Sequence, residues 1–196
     1  MPKIVDHDEQ RLQLSATVAQ VVAEAGLEHT TLRTVAAHHG CTKGMVQHYF
    51  ADKDELLLAA LNFVEDQCEE RLPDEDSGHE GLDLLHARLA ALLPVNDELV
   101  DEWRVRLAFV TLAGQSDDVQ AIIAERQATQ QAEGVRLLRQ AQRAGQLKKG
   151  VSPVNAYRLL SSLVNGLGVA AVVGDGQWSP AVQKGLLKGA VNDLRR

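Results

Sequence analysis

The stretch from Thr30 to Leu56, TTLRTVAAHHGCTKGMVQHYFADKDEL, constrains this chain more than any other part. Its spacing predicts two short helices around a tight turn, followed by a newly capped third helix. Thr30 or Thr31 can cap the first, and Leu32, Val35 and Ala36 give it one apolar face. Gly40 stands where the chain must turn with little steric room. Thr42 can cap the second helix, which runs through Val46 to about Tyr49. Asp52 and Glu55, spaced Asp-x-x-Glu, form a capping box for the next. Two short helices joined by a glycine-containing turn are what a helix-turn-helix needs. In that motif the second helix enters the major groove of DNA and the first braces it against the backbone.

The same residues resemble the DNA-binding domain of the TetR family of bacterial transcriptional regulators. The resemblance begins with an amphipathic first helix ending at Ala25-Gly26 and runs through Thr30-Thr31-x-Arg33-x-x-Ala36 to Gly40-x-Thr42-Lys43-Gly44. It continues through His48-Tyr49-Phe50 and Lys53-x-Glu55-Leu56, covering roughly a quarter of the chain. One position departs from the pattern: the family commonly has an aromatic residue in the middle of the recognition helix, and this chain has Gln47.

A chain of 196 residues can bury a full core as one large or two small domains. Hydrophobic residues make up 45% of it, which fits a folded protein rather than a disordered one. Cys41 and Cys68 show no metal-type pairing and no signal peptide is recognisable, so reduced thiols in a cytoplasm are expected. The apolar stretches read as too short or too interrupted to cross a membrane, and no membrane partner is expected. A net charge of −7 does not exclude DNA, because a duplex feels the local face and not the sum. The first 55 residues carry five Lys or Arg against eight Asp or Glu, so phosphate contacts should come largely from backbone amides, hydroxyls and a few cations. Five of the seven histidines also lie in this region, at His7, His29, His38, His39 and His48.

The remaining periodicity predicts an all-α protein of about nine helices: a helix-turn-helix domain over residues 1–55 and a larger helical domain over 56–196. Helix 1 spans about Asp8 to Ala25 with a stripe of Leu14, Val18, Val21, Val22 and Ala25. Helix 4 follows Asp52, and Pro73 with the polar run PDEDSGHEG marks its end as a linker. A fifth helix ends at Pro94, a sixth carries Leu99, Trp103, Leu107 and Val110, and a seventh runs from about Asp118 to Ala144. Ser152-Pro153 and Ser179-Pro180 open an eighth helix, to about Val173, and a ninth, to about Leu194. The eighth is apolar nearly all round, so it is buried on more than one side. The ninth has small residues, Gly185 and Gly189, beside its apolar stripe. Two copies pairing through these last two helices would form a four-helix bundle across a two-fold axis. The family resemblance implies the same homodimer; the alternative is a central core helix in a monomer.

Thr31 and Thr42 stand at helix N-termini, where a hydroxyl and free amides can bind a DNA phosphate, besides simple capping. Arg33 is either a phosphate or guanine contact or a solvated surface charge. Lys43, Gln47, His48 and Tyr49 lie on or near the groove-facing side of the second helix. Gln47 has the amide geometry to pair with adenine N6 and N7. The resemblance places His48 at the DNA backbone. Lys53, in the first turn of helix 4, is well placed for phosphate but poorly for its own helix dipole.

In the seventh helix the apolar stripe of Val119, Ile122 and Ile123 gives way to Arg126, Gln127, Gln130 and Gln131 before Leu137, Leu138 and Ala141 restore it. Gln127 and Gln130 would line an effector pocket, or face solvent if the helix is exposed there. Asn165 raises the same choice between pocket and dimer seam. Trp103 and Phe109 are candidate pocket walls or plain core, and Arg106 has Glu102 one turn before it for an ordinary ion pair. The run Asp101 to Phe109 and the stretches around Ala144-Gly145 and Asn165-Gly166-Leu167 are similar to relatives of the choline-responsive TetR regulator. This resemblance implies a ligand-sensing domain without naming the ligand.

The expectation is therefore a repressor that binds a palindromic operator as a homodimer and is released by a small-molecule effector. The rival is a small helical enzyme or metal-binding bundle. Asp83-x-x-His86 matches half of a di-metal motif, but no second copy exists. His38, His39 and Cys41 straddle the turn of the DNA-binding motif. No phosphate loop or nucleophile elbow is present, and no metal or other cofactor is expected.

Overall fold

Backbone capping divides the chain into its helices. The computed structural model describes residues 7–174 and 176–196. Among them are nine α-helices and one 3-10 turn, Glu75–Ser77. They are α1 (His7–His29), α2 (Leu32–His39), α3 (Lys43–Tyr49), α4 (Lys53–Arg71), α5 (Leu82–Ala91), α6 (Asp97–Ala113), α7 (Asp117–Arg143), α8 (Pro153–Val173) and α9 (Pro180–Leu194). Contacts group the described residues up to Glu70 with Arg104–Thr111 in one compact unit, and Arg71–Trp103 with Leu112–Arg196 in another. The first unit thus runs on past residue 55, where the sequence suggested a boundary, and takes in nearly all of α4.

In the first unit α1 packs on α2 and α2 on α3. The α1 stripe of Leu14, Val18, Val21 and Val22 is buried, together with Val35 and Ala36 of α2 and Val46 and Phe50 beside α3. Ala25, expected at the end of that stripe, is exposed. The helix breaks next to it, at Gly26 with φ 80° and ψ 169°, so the last residues of α1 leave the face that carries the stripe. Leu56, Leu57, Ala60, Leu61, Val64 and Cys68 extend the core along α4. Each fully buried Val, Leu or Phe contributes on the order of 1.5–3 kcal/mol. Arg106 donates from Nε to Glu65 at 2.9 Å, an ion pair between half-buried groups of this unit.

The second unit encloses a cluster from α5, α7, α8 and α9, with Trp103 of α6 inside it. Its helices start where the sequence places caps. Ser116, Ser152 and Ser179 each accept the backbone N–H three residues on, and Pro153 and Pro180 occupy the first turns. The N-terminus of α5 has no side-chain cap of its own; Gln146 Oε1 accepts the Leu82 N–H at 3.0 Å instead. Glu102, the residue expected to pair with Arg106, receives both terminal nitrogens of Arg71 at 2.7 Å.

The sequence suggested that Gly185 and Gly189 mark close helix contact. Within the chain, the space beside both is open. Among the glycines within described helices, the close approaches fall at Gly134, against the Tyr157 ring, and at Gly168, against the Trp103 ring. The α8 helix, 21 residues long, is long and apolar enough to pass for a membrane span by length and composition, contrary to the sequence reading. Its Ala156, Tyr157, Leu160, Val164 and Leu167 are built into the helical core. Its other face, with Leu159, Val169 and Val173, is exposed.

Candidate nucleic-acid interface

The α2–α3 corner is built from local hydrogen bonds. Thr31, with extended backbone, accepts the Thr34 N–H at 3.1 Å, while Thr34 Oγ1 accepts the Thr31 N–H at 2.8 Å. This is a capping box with Thr in the returning position. Thr30, the other candidate, is fully buried and donates its hydroxyl to the Gly26 carbonyl. Gly40, at φ 75° and ψ 29°, ends α2 in the left-handed region. Cys41 N–H bonds the Ala36 carbonyl and Gly40 N–H the Ala37 carbonyl, the double closure of a Schellman motif. Thr42 then accepts the Met45 N–H at 3.2 Å and starts α3.

With Val46 and Phe50 buried and Met45 half-buried, α3 turns Lys43, Gly44, Gln47 and His48 outward. Thr31, Arg33, Thr42, Lys43, Gln47, His48 and Lys53 are all exposed, and Tyr49 is half-buried. The fold thereby brings the expected DNA-contacting residues to one helix-turn-helix and its flank. The side chains of Arg33, Lys43 and Gln47 have no partner among the described residues. Lys53 reaches back with its ammonium to the Glu28 carbonyl at 3.4 Å, which eases its poor position at a helix N-terminus. Tyr49 lies in a ring cluster, 4.6 Å from His7 and 5.2 Å from His48 between centroids.

Two structural residues escaped the sequence reading. Arg11 of α1 donates to the Tyr49 carbonyl at 2.5 Å and to Glu55 at 2.8 Å, and stacks over Phe50. Its sequence signal was faint, a lone cation one turn before an apolar stripe. His39 lies between Thr17 and Gln10, at 2.8 Å and 3.2 Å. The Thr17 hydroxyl already donates to the Gln13 carbonyl, so it accepts from His39 Nδ1–H, and His39 Nε2 accepts from Gln10. That histidine is a bridge between α1 and α2. Among the described residues no cluster of three or more side chains suits a metal.

The Asp52–Glu55 capping box forms with one change. Glu55 N–H bonds Asp52 Oδ1 at 2.8 Å, but the Glu55 carboxylate takes the Ala51 N–H, at 2.8 Å. The Ala51 amide, and then the Arg11 guanidinium, hold the Glu55 carboxyl below the usual carboxylate range. Burial pushes the Cys41 thiol up, away from thiolate chemistry.

The six residues expected around an effector do not converge within either unit. Arg106 and Phe109 belong to the first, Phe109 fully buried. Of the four in the second, Trp103 is core, its indole N–H donating to the Leu92 carbonyl at 2.7 Å. Gln127, Gln130 and Asn165 are exposed. An open groove of about 480 Å³ on α7 is lined by Arg136, Arg139, Gln142 and Arg143. The half-motif of the rival reading is absorbed into structure: Asp83 pairs with Arg195, and burial pushes the His86 imidazole below its usual range.

Comparison with known proteins agrees with this geometry. Residues 14–60 match the model for bacterial regulatory proteins of the tetR family, and residues 82–196 the C-terminal model of BetI-type transcriptional repressors. The chain is 32% identical over 124 residues to the HTH-type transcriptional regulator PksA of Bacillus subtilis, a match covering 61% of this chain and 58% of that relative. A Rhodococcus transcriptional regulator superposes with TM-score 0.81 at 27% identity, over 94% of this chain and 95% of that one. A Saccharomonospora viridis regulator in complex with choline gives TM-score 0.84 at 19% identity, over 96% and 99%. The second of the two family models alone spans more than half of the sequence. The chain belongs to the TetR family of bacterial regulatory proteins, and its C-terminal part matches the BetI-type transcriptional repressors.

Proposed function

We propose that this protein is a ligand-responsive repressor that binds a palindromic operator as a homodimer and leaves it when a small-molecule effector binds. The observation that carries the reading is the α2–α3 corner, where Arg33, Lys43 and Gln47 are exposed and have no partner among the described residues, on a scaffold with both helix starts capped. Gln47 and Lys43 read base edges in the major groove. Thr31, Arg33, Thr42, His48, Tyr49 and Lys53 meet phosphates and fix the register. The DNA-binding domain covers residues 1–55 and the effector and dimerisation domain residues 56–196. The cytoplasm is the compartment where such a protein meets its operator.

The dimer forms through α8 and α9. Leu159, Val169, Val173, Trp178, Val182 and Leu186 are exposed large apolar side chains on or beside these two helices. Gly185 and Gly189 leave open space on α9 where a second copy's helix could approach. Asn165, exposed on α8, fits that seam as well as a pocket. The effector acts by population shift: it must bind better to the form whose two recognition helices no longer fit successive major grooves. The BetI-type match and the choline complex of a structural neighbour make choline the first effector to try. The pocket roles of Gln127 and Gln130 rest on the polar gap in the α7 stripe, those of Trp103 and Phe109 on their aromatic side chains, and the segment Asp101 to Phe109, which holds Arg106, is supported by the resemblance.

Fluorescence anisotropy at fixed salt tests this, using a duplex from the region upstream of the protein's own gene against an unrelated duplex. Preferential binding of the upstream duplex supports the reading; equal binding of both overturns it. Adding choline to the complex then tests that effector by itself.

A further inference from the structure

We propose that Arg11 is a positioning residue that sets the angle at which α3 is presented to DNA. The inference rests on the groove-facing reading of α3 and deepens it. With seven residues, α3 is too short to hold a direction by its own hydrogen bonds. Its C-terminus also lacks the glycine closure that ends α2: Phe50 leaves in extended conformation, with φ −133° and ψ 117°. The carbonyls of a last helical turn need donors from elsewhere. Arg11 supplies one, its Nη1 donating to the carbonyl of Tyr49.

The same guanidinium reaches the next helix. Nη2 donates to Glu55 Oε1 at 2.8 Å, and the Arg11 Cζ sits 4.9 Å from the centre of the Phe50 ring. Glu55 in turn accepts the Ala51 N–H on its other oxygen. One planar group thus fastens the end of α3, the turn after it and the start of α4 to α1. A guanidinium suits this task because its fixed fork holds two acceptors at once, which a lysine ammonium does not reproduce. One α1 turn earlier, His7 lies against the Tyr49 ring, so α1 touches both the backbone and the side chain of that residue. Arg11 acts through Tyr49 and Glu55, with its charge answered by the Glu55 carboxylate.

The test compares the parent with Arg11→Lys, Arg11→Gln and Glu55→Gln, each first shown to be folded by circular dichroism. Amide hydrogen exchange on the DNA-free proteins reads the clamp. Arg11→Gln should speed exchange in residues 46–51, with Arg11→Lys rescuing little and Glu55→Gln falling between. Anisotropy on the upstream and unrelated duplexes reads the consequence. Arg11→Gln should lose about tenfold in affinity for the upstream duplex and little for the unrelated one, because preorganisation and not charge is removed. The salt dependence should keep its slope; a fall by about one charge would mean that Arg11 itself meets a phosphate, which overturns the proposal. Unchanged exchange in Arg11→Gln overturns it too, as does an unchanged preference for the upstream duplex. Should Arg11→Gln fail to fold, the same readings on Glu55→Gln decide. If the parent itself has no preference while exchange responds, the DNA reading fails with this role, and the clamp stands as structure only.

Discussion

Gly168 of α8 lies so close to Trp103 of α6 that a carbon at its Cβ position would come within 2.4 Å of three atoms of the indole ring. The ring cannot swing aside freely, because its N–H is held by the Leu92 carbonyl at 2.7 Å. Gly168→Ala should therefore overpack the core and destabilise the fold by about 1–3 kcal/mol. Urea unfolding of the variant checks this. Gly134→Ala, aimed at the Tyr157 ring, should act in the same direction. A Gly168→Ala midpoint equal to the parent's would mean that α8 and Trp103 do not pack as described.

Gln47 and Lys53 should fail in different ways. Gln47→Ala removes an exposed amide from α3 and should cut discrimination at one operator position by about 1–3 kcal/mol, as for loss of a bidentate base contact. Lys53→Ala should weaken binding to all sequences and lower the salt slope by about one charge. It also frees the Glu28 carbonyl, so its melting temperature should be recorded alongside. Binding of operator and its single-base variants reads both effects, and parent-like behaviour in both proteins would sink the groove assignment.

The open space beside Gly189 makes Gly189→Leu a clean probe of self-association. Inside the chain nothing lies within 4 Å of the Cβ position, so the substitution starts in open space and the monomer should still fold, which circular dichroism checks. At the proposed interface through α8 and α9 it would have no room against a second copy, and the dimer should separate or loosen. Operator affinity would then drop, because two half-sites are no longer held at one spacing. Sedimentation gives the answer directly: an unchanged dimer puts the interface elsewhere.

Glu55 gives a pH signature of the turn after α3. Its carboxyl is held below the ordinary value of 4.5 by the Ala51 amide and Arg11. For an acid whose folded value is depressed, the stabilisation is complete above the unfolded value and is lost as pH falls through the folded one. The difference in urea midpoint between the parent and Glu55→Gln should be constant from about pH 8 to 5, then shrink below that range. The effect is modest, because the carboxylate is 40% exposed. A difference that does not change with pH would remove Glu55 from the turn's electrostatics.

The helices and their caps were legible because both depend on residues a few positions apart. Thr42, Ser116, Ser152 and Ser179 accept the amide three residues on, and the apolar stripe of α1 follows one helical face. The outward face of α3 could be read for the same reason, once Val46 and Phe50 were assigned to the core. The effector side was far less legible. A polar gap in a stripe is equally what a pocket or open water produces, and Gln127 and Gln130 are exposed in this chain.

By itself, the sequence determined the capped starts of α2, α3, α7, α8 and α9, the apolar face of α1, and that the α2–α3 corner turns through Gly40. All of these are settled by interactions within about one helical turn. Tertiary structure decided which distant groups meet. Arg11 reaches a carbonyl 38 residues away, and Gln146 caps a helix that begins 64 residues before it. It also selected Gly134 and Gly168 for close packing and left Gly185 and Gly189 in the open. The four share a helical setting, and only the docking of whole helices determines which of them has a ring against it.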